Sequence, residues 1–303
     1  MSPIARKTLV ITVAAIVVIA AAAGAGIYYW MITRPVVKEI KIGVIEPLTG
    51  PAADAGKYAV MGMQFAVDEI NEAGGIKSLG GVPIKLVVAD HGGDPKTGAL
   101  EAERLITTEN VVAIVGAYYS SVTKTVSEVC ERYEVPCLNP DSVSPGLTAR
   151  GFKWFFRTTP YDVHLVKEAF EFINWINEQK PGRLNTRAIL TEDSEWGLSW
   201  KEMIETYAAE YGYPIVKVVT FHTGATSLDS EVTEIMAANP DVLFQGTYTT
   251  DTILLLRTLK KFNYMPKFVI GEAGIEQPYV IEAVGDLAAY QFALTKFCAD
   301  LTE

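Results

Sequence analysis

The side chains best suited to holding or transforming a small molecule sit where apolar runs end. In "AIVGAYYSSVTKTVSEVCERY", residues 113–133, a buried strand gives way to a helix, with Tyr118, Tyr119, Ser120 and Ser121 at the junction. A helix start offers unpaired N–H groups and partial positive charge. Two serines there suit a phosphate or carboxylate, and they equally suit plain capping. Comparable polar loops follow the other apolar runs: "EPLTGPAADAG", "DHGGDP", "NPDSVS", "EDSEWG", "HTGATS", "TYTTD" and "EAGIEQ". They are rich in hydroxyls, aromatics and carboxylates. The sequence has no G-x-S-x-G elbow and no G-x-x-x-x-G-K-[ST] phosphate loop, and its first glycine-rich turn lacks the G-x-G-x-x-G spacing. Glu192 and Asp193 are adjacent carboxylates in a loop, where solvation is the default role. His91, His164 and His222 are scattered, and Cys130, Cys137 and Cys298 form no C-x-x-C pair, so no metal site is expected. Cys130 and Cys137 allow either one disulfide or two small buried apolar residues.

These loops must be held by regular elements. From Glu39 onward, strands rich in Val, Ile and Leu alternate with amphipathic helices. That pattern is an α/β fold with parallel sheets covered on both faces. Asp94–Pro95 predicts a helix start, and Gly74–Gly75 a helix end. The rhythm breaks over 141–162, "DSVSPGLTARGFKWFFRTTPYD", a stretch of turn residues and aromatics, and then resumes. Two doubly wound lobes follow, with lobe one at 38–156, lobe two at 157–282, a first crossing near 155–160, and an incomplete crossover or tail at 283–303. In such sheets ligands bind beyond the carboxyl ends of the strands, which is where the polar loops fall.

The chain has 303 residues and a net charge of −10, a sign opposite to a nucleic-acid footprint. Residues 9–32 carry no charge and follow Arg6 and Lys7, so a transmembrane anchor with the remainder outside the cytoplasm is expected. A cleaved signal peptide is the alternative. No cysteine follows the run, which excludes a lipid-anchored lipoprotein.

The runs "IGVIEPLTGPAADAGKYAVMGMQFAVDEINEAGGI", "GVPIKLVVADHGGDPKTGALEAERLI", "AILTEDSEWGLSW" and "DVLFQGTYTTD" are similar, in order and spacing, to the solute-binding proteins of branched-chain amino acid ABC transporters, which have the type I periplasmic binding fold. The resemblance covers residues 39 to about 288 and implies a clamshell that closes on a small solute and serves ABC permease subunits, without a cofactor or catalysis. It implies that Ser120, with Ser121 and Tyr119 beside it, receives a carboxylate. It implies further contacts from Asp141, Ser142 and Ser144 in the loop after the fourth strand. Trp196 and Tyr248 are implied as aromatic walls in lobe two, and Glu272 as the partner of an ammonium. A family tyrosine is replaced by Ala55, and the family's small disulfide near the second strand is absent. Relatives continue beyond "AYQFALTKFCADLTE", so a truncated or divergent end is expected, with sheet edges and apolar helix faces left uncovered. The expected function is solute delivery to an ABC importer. A sensory ectodomain on the same fold is the second reading and an anchored enzyme the third.

Overall fold

The computed structural model describes residues 16–25, 28–29, 38–289 and 291–296. Residues 16–25 and 28–29 are helical; much of the expected 9–32 anchor lies outside the described residues. Among the described residues no helix is long and apolar enough to cross a membrane.

The body from Ile40 contains two five-stranded, wholly parallel sheets. Lobe one is built on β1 (Ile40–Glu46), β2 (Ile84–Asp90), β3 (Ala113–Gly116), β4 (Cys137–Asn139) and β5 (Phe155–Arg157). Lobe two is built on β6 (Arg187–Glu192), β7 (Ile215–Phe221), β8 (Val242–Gly246), β9 (Phe268–Gly271) and β10 (Gln291–Ala293). The sheet orders are β2-β1-β3-β4-β5 and β7-β6-β8-β9-β10, one topology used twice. Each reverses direction beside its first strand, which leaves a crevice at the carboxyl ends of β1 and β3 and of β6 and β8.

Local chemistry explains the elements. The central strands β6, β8 and β9 are buried at every position, as continuous apolar runs require when helices cover both faces. The helix Pro95–Thr107 starts where expected: the Asp94 side chain accepts from the Thr97 N–H at 2.6 Å, with proline at the first helical position. The helix Ala53–Glu72 ends before Gly74 and Gly75, both with positive φ. The stretch read as turns and aromatics contains a short helix, Gly146–Ala149, and the edge strand β5. After β5 the chain enters lobe two through the helix Asp162–Gln179.

Cys130 and Cys137 are buried free thiols. Two apolar surfaces stay open among the described residues. One is the stripe of Tyr58, Met61 and Phe65 on the helix Ala53–Glu72, each more than half exposed. The other is a groove of about 340 Å³ beside Trp175 and Phe292. That groove borders Leu184 and Phe268, at the amino ends of β6 and β9, away from the crevice.

Candidate functional site

A narrow cavity of about 10 Å³, room for about one water molecule, lies between the carboxyl ends of the two sheets. Of the residues implicated by the sequence, Ser120, Asp141, Ser142, Trp196, Tyr248 and Glu272 line it. Ser121 and Ser144 do not, and Tyr119 stands behind the lining against Tyr248, with ring centroids 4.3 Å apart. Tyr118, Val143, Ala273, Glu276 and Lys296 complete the wall.

The lobe-one wall is made by the loop after β3 and the loop after β4. Ser120 opens the helix Ser120–Tyr133, whose N-cap is Tyr119 without any side-chain cap. The serines are therefore not caps. Ser120 is buried, at the first position of that helix. Tyr118 stands at φ 58°, a left-handed conformation that a bulky side chain adopts at a cost in strain. The buried Tyr118 hydroxyl also has no partner. The turn is held from below: the Thr123 hydroxyl accepts from the Ala117 N–H at 3.1 Å, and the Ser142 hydroxyl donates to the Tyr118 carbonyl at 2.8 Å. His91 supports it from β2. Its Nδ1 accepts from the Gly93 N–H at 2.9 Å, which leaves the proton on Nε2 to donate to the Ala117 carbonyl at 3.1 Å. Burial pushes His91 down to about 4, so it is a neutral brace. Ser142 spends its backbone and side chain internally, bonding Asn139 through both its N–H (2.8 Å) and its carbonyl (2.7 Å). Arg157, on β5, donates to the carbonyls of Ser142 at 2.9 Å and Ser144 at 2.6 Å.

The lobe-two wall is aromatic and acidic. Trp196 lies in the first turn of the helix Glu195–Glu210, whose N-cap is Ser194. Gly197 follows because a Cβ there would sit 2.1 Å from the Glu192 carbonyl oxygen. Trp196 is buried, packs on Tyr248 at 4.9 Å, and donates through Nε1 to Asp162 at 3.3 Å. Ser199 also donates to Asp162, at 2.9 Å. Burial, with help from Glu272, raises the Asp162 carboxyl to about 7. Glu192 is fully buried, receives Ser194 and Thr223, and is raised by that burial to about 7. This corrects the solvated role expected for it, since the strand end turns it inward, while Asp193 is half exposed. Glu272 follows β9, buried, with Lys296 Nζ 3.0 Å from its Oε1.

Sequence reasoning did not reach Asp162, Glu276 or Lys296. Asp162 starts the helix after the lobe crossing, and its place at that start was the available signal. Lys296 follows β10, in a stretch read as an irregular tail. Across the cleft rim, Lys124 pairs with Glu195 at 2.9 Å, and Thr250 donates to the Pro51 carbonyl at 2.8 Å. The lobes are thus in contact around the cavity. The wall carries hydroxyls, a helix start, aromatics and carboxylates, groups that bind and orient a small polar solute. No cluster of His, Cys, Asp and Glu fit to hold a metal ion occurs among the described residues.

The periplasmic binding protein family profile matches residues 39–303. Leu/Ile/Val-binding protein homolog 7 of Brucella abortus is 32% identical over 282 residues, covering 89% of this chain and 70% of that protein. Homolog 8 of the same organism is 29% identical over 272 residues, covering 88% of this chain and 65% of its own length. Among solved structures, the leucine-binding protein LivK of Thermotoga maritima superimposes with a TM-score of 0.72 at 23% identity, covering 82% of this chain and 67% of that one. LivJ of Streptococcus pneumoniae, solved with isoleucine, gives 0.72 at 23% identity, with 84% and 70% covered. A solute-binding protein of Rhodopseudomonas palustris, solved with 3,4-dihydroxybenzoic acid, gives 0.70 at 17% identity, with 83% and 66% covered. These three share the fold. With the family profile spanning the whole two-lobed body and its cleft, the chain belongs to the periplasmic binding protein family and has the type I fold.

Proposed function

We propose that this solute-binding protein takes a small amino-acid-like or carboxylate-bearing metabolite into the interlobe cavity and delivers it to the permease of an ABC importer. One observation carries the reading. The Tyr118 hydroxyl is buried in the cavity wall without a partner, beside the buried Ser120 at a helix N-terminus. Unpaired buried donors beside positive dipole ends suit a carboxylate without requiring an arginine. The named relatives are Leu/Ile/Val-binding homologues, which supports the amino-acid-like end of this range. Trp196 and Tyr248 offer flat walls to the apolar part of such a solute.

A thermal-shift panel of leucine, phenylalanine, their desamino analogues and short amides tests the solute class. Stabilisation by the acids and not by the amides is the expected outcome; stabilisation by amides alone defeats the carboxylate reading.

We also propose that residues 9–32 hold the protein at the outer face of the cell membrane. The uncharged run and its basic flank support this. N-terminal sequencing of membrane-extracted protein should find the segment retained. A mature start near Ile27 would show a cleaved signal instead.

A further inference from the structure

The cavity contains a cation of its own. Lys296 leaves the carboxyl end of β10 and reaches the space between Glu272 and the lobe-one loop. Its Nζ lies 3.0 Å from Glu272 Oε1 and donates to the Asp141 backbone carbonyl at 3.1 Å. About one fifth of the lysine side chain is exposed, against 1% of the Glu272 side chain. Among the described residues lining the cavity, Lys296 is the only cation, while Asp141, Glu272 and Glu276 are acids.

We propose that Lys296 is a specificity-determining residue, its ammonium occupying the cation seat at Glu272 and so discriminating against solutes that bring an ammonium of their own. The inference rests on the carboxylate-solute reading above and adds a rule within it.

The seat offers the ammonium two oxygens, the ion-paired Glu272 Oε1 at 3.0 Å and the Asp141 carbonyl at 3.1 Å. A solute ammonium arriving at Glu272 must displace Nζ or stop beside it, and two like charges a few ångströms apart repel strongly in a buried site. The neighbouring acids do not readily provide a second seat. Glu276 is raised to about 7 by its burial and by Glu272, so near neutral pH it is only partly ionised. Asp141 gives the seat its carbonyl, taken by Lys296, and its carboxylate lies in the field of the same ammonium. A solute bearing only a carboxylate needs no such displacement. It meets the unpartnered Tyr118 hydroxyl and the buried Ser120 on the opposite wall.

The experiment compares L-leucine with 4-methylpentanoate, and L-phenylalanine with 3-phenylpropanoate. Binding to the full chain is measured by calorimetry for the wild type, Lys296→Met and Lys296→Arg. Lys296→Met empties the seat and keeps most of the side-chain volume. It should raise the affinity ratio of each amino acid to its desamino partner by about 10- to 100-fold, the worth of a hydrogen-bonded charge pair. Lys296→Arg keeps the charge and should hold the wild-type ratio, and it serves as the folded control if Lys296→Met is unstable. In that case Lys296→Gln replaces it and should shift the ratio the same way. Ratios unchanged between wild type and the neutral variants, with binding intact, overturn the inference and leave the carboxylate reading standing. Failure of all four compounds to bind any variant overturns the carboxylate reading, and the inference falls with it.

Discussion

The two walls of the cleft come from lobes of one topology and are built by opposite means. The lobe-one wall presents dipoles: a helix start, the Ser120 and Tyr118 hydroxyls, and a neutral histidine behind them. The lobe-two wall presents the Trp196–Tyr248 surface and buried carboxylates. The lobes do share a packing device. Gly56 and Gly197 each sit in the first turn of the helix that follows the first strand of their lobe, where a Cβ would lie 2.1 Å from a carbonyl oxygen of the preceding segment, Pro47 or Glu192. Common backbone joints with divergent surfaces show that chemistry in this molecule is set by the few residues after each strand, on a scaffold that does not otherwise distinguish its halves.

The comparison is broken most severely at Trp196. Trp196→Ala removes a fully buried ring that props Tyr248 and Asp162. It should cost about 3–5 kcal/mol of stability, read by urea denaturation, and should abolish solute-induced thermal shifts. A loss below 1 kcal/mol would mean that the aromatic wall is not structural.

On the dipolar wall the effect should fall on binding instead. Ser120→Ala should weaken a carboxylate solute by about 1–3 kcal/mol in calorimetry, with little change in Tm. Ser121→Ala, one residue further round the helix and outside the cavity, should leave affinity as it is. Equal losses from both variants would contradict the placement of Ser120 alone in the wall.

The gentlest test uses pH. Glu192, raised to about 7 by burial, holds its proton in the folded state at pH values where the unfolded chain has released it. Stability should therefore fall as pH rises from about 4.5 to 7, by about 1 kcal/mol between pH 6 and 8. Asp162, also raised to about 7 by burial and Glu272, acts in the same direction. His91 acts in the opposite one. Lowered to about 4 by burial, it binds its proton only in the unfolded chain between roughly pH 6.5 and 4, so stability should fall with acidification, again by about 1 kcal/mol between pH 6 and 5. Glu192 and Asp162 together outweigh His91, so Tm should fall as pH rises from about 5 to 8. Glu192→Gln should make that fall shallower, and His91→Gln should make it steeper below about pH 6.5. A shallower fall in His91→Gln, or a steeper one in Glu192→Gln, would sink the assignment of lobe-two acid and lobe-one base.

Much of this architecture was legible in the sequence because it repeats. Continuous Val, Ile and Leu runs between amphipathic helices give parallel sheets, and position after a strand placed Ser120, Trp196, Tyr248 and Glu272 around one cleft. Facing is harder to read. Neighbours on a helix differ by about 100°, so Ser120 and Ser121 do not both line the cavity although their letters are identical. β5 and β10 have three residues each, too short for any periodicity. The lobe crossing was therefore read as turns and aromatics, and Lys296, which depends on β10 for its position, was not weighed. Glu192 was read as solvated because two adjacent carboxylates look like a surface loop; only the strand end shows that one of them points inward.

Arg157 has a mechanical consequence. By gripping the carbonyls of Ser142 and Ser144, it joins the pocket loop to the last strand before the chain leaves lobe one. A rotation of lobe one about the Thr158–Tyr161 link would therefore carry the Ser142–Ser144 backbone and β5 together, as a door leaf keeps its shape while the hinge bends, and would leave that part of the wall unchanged.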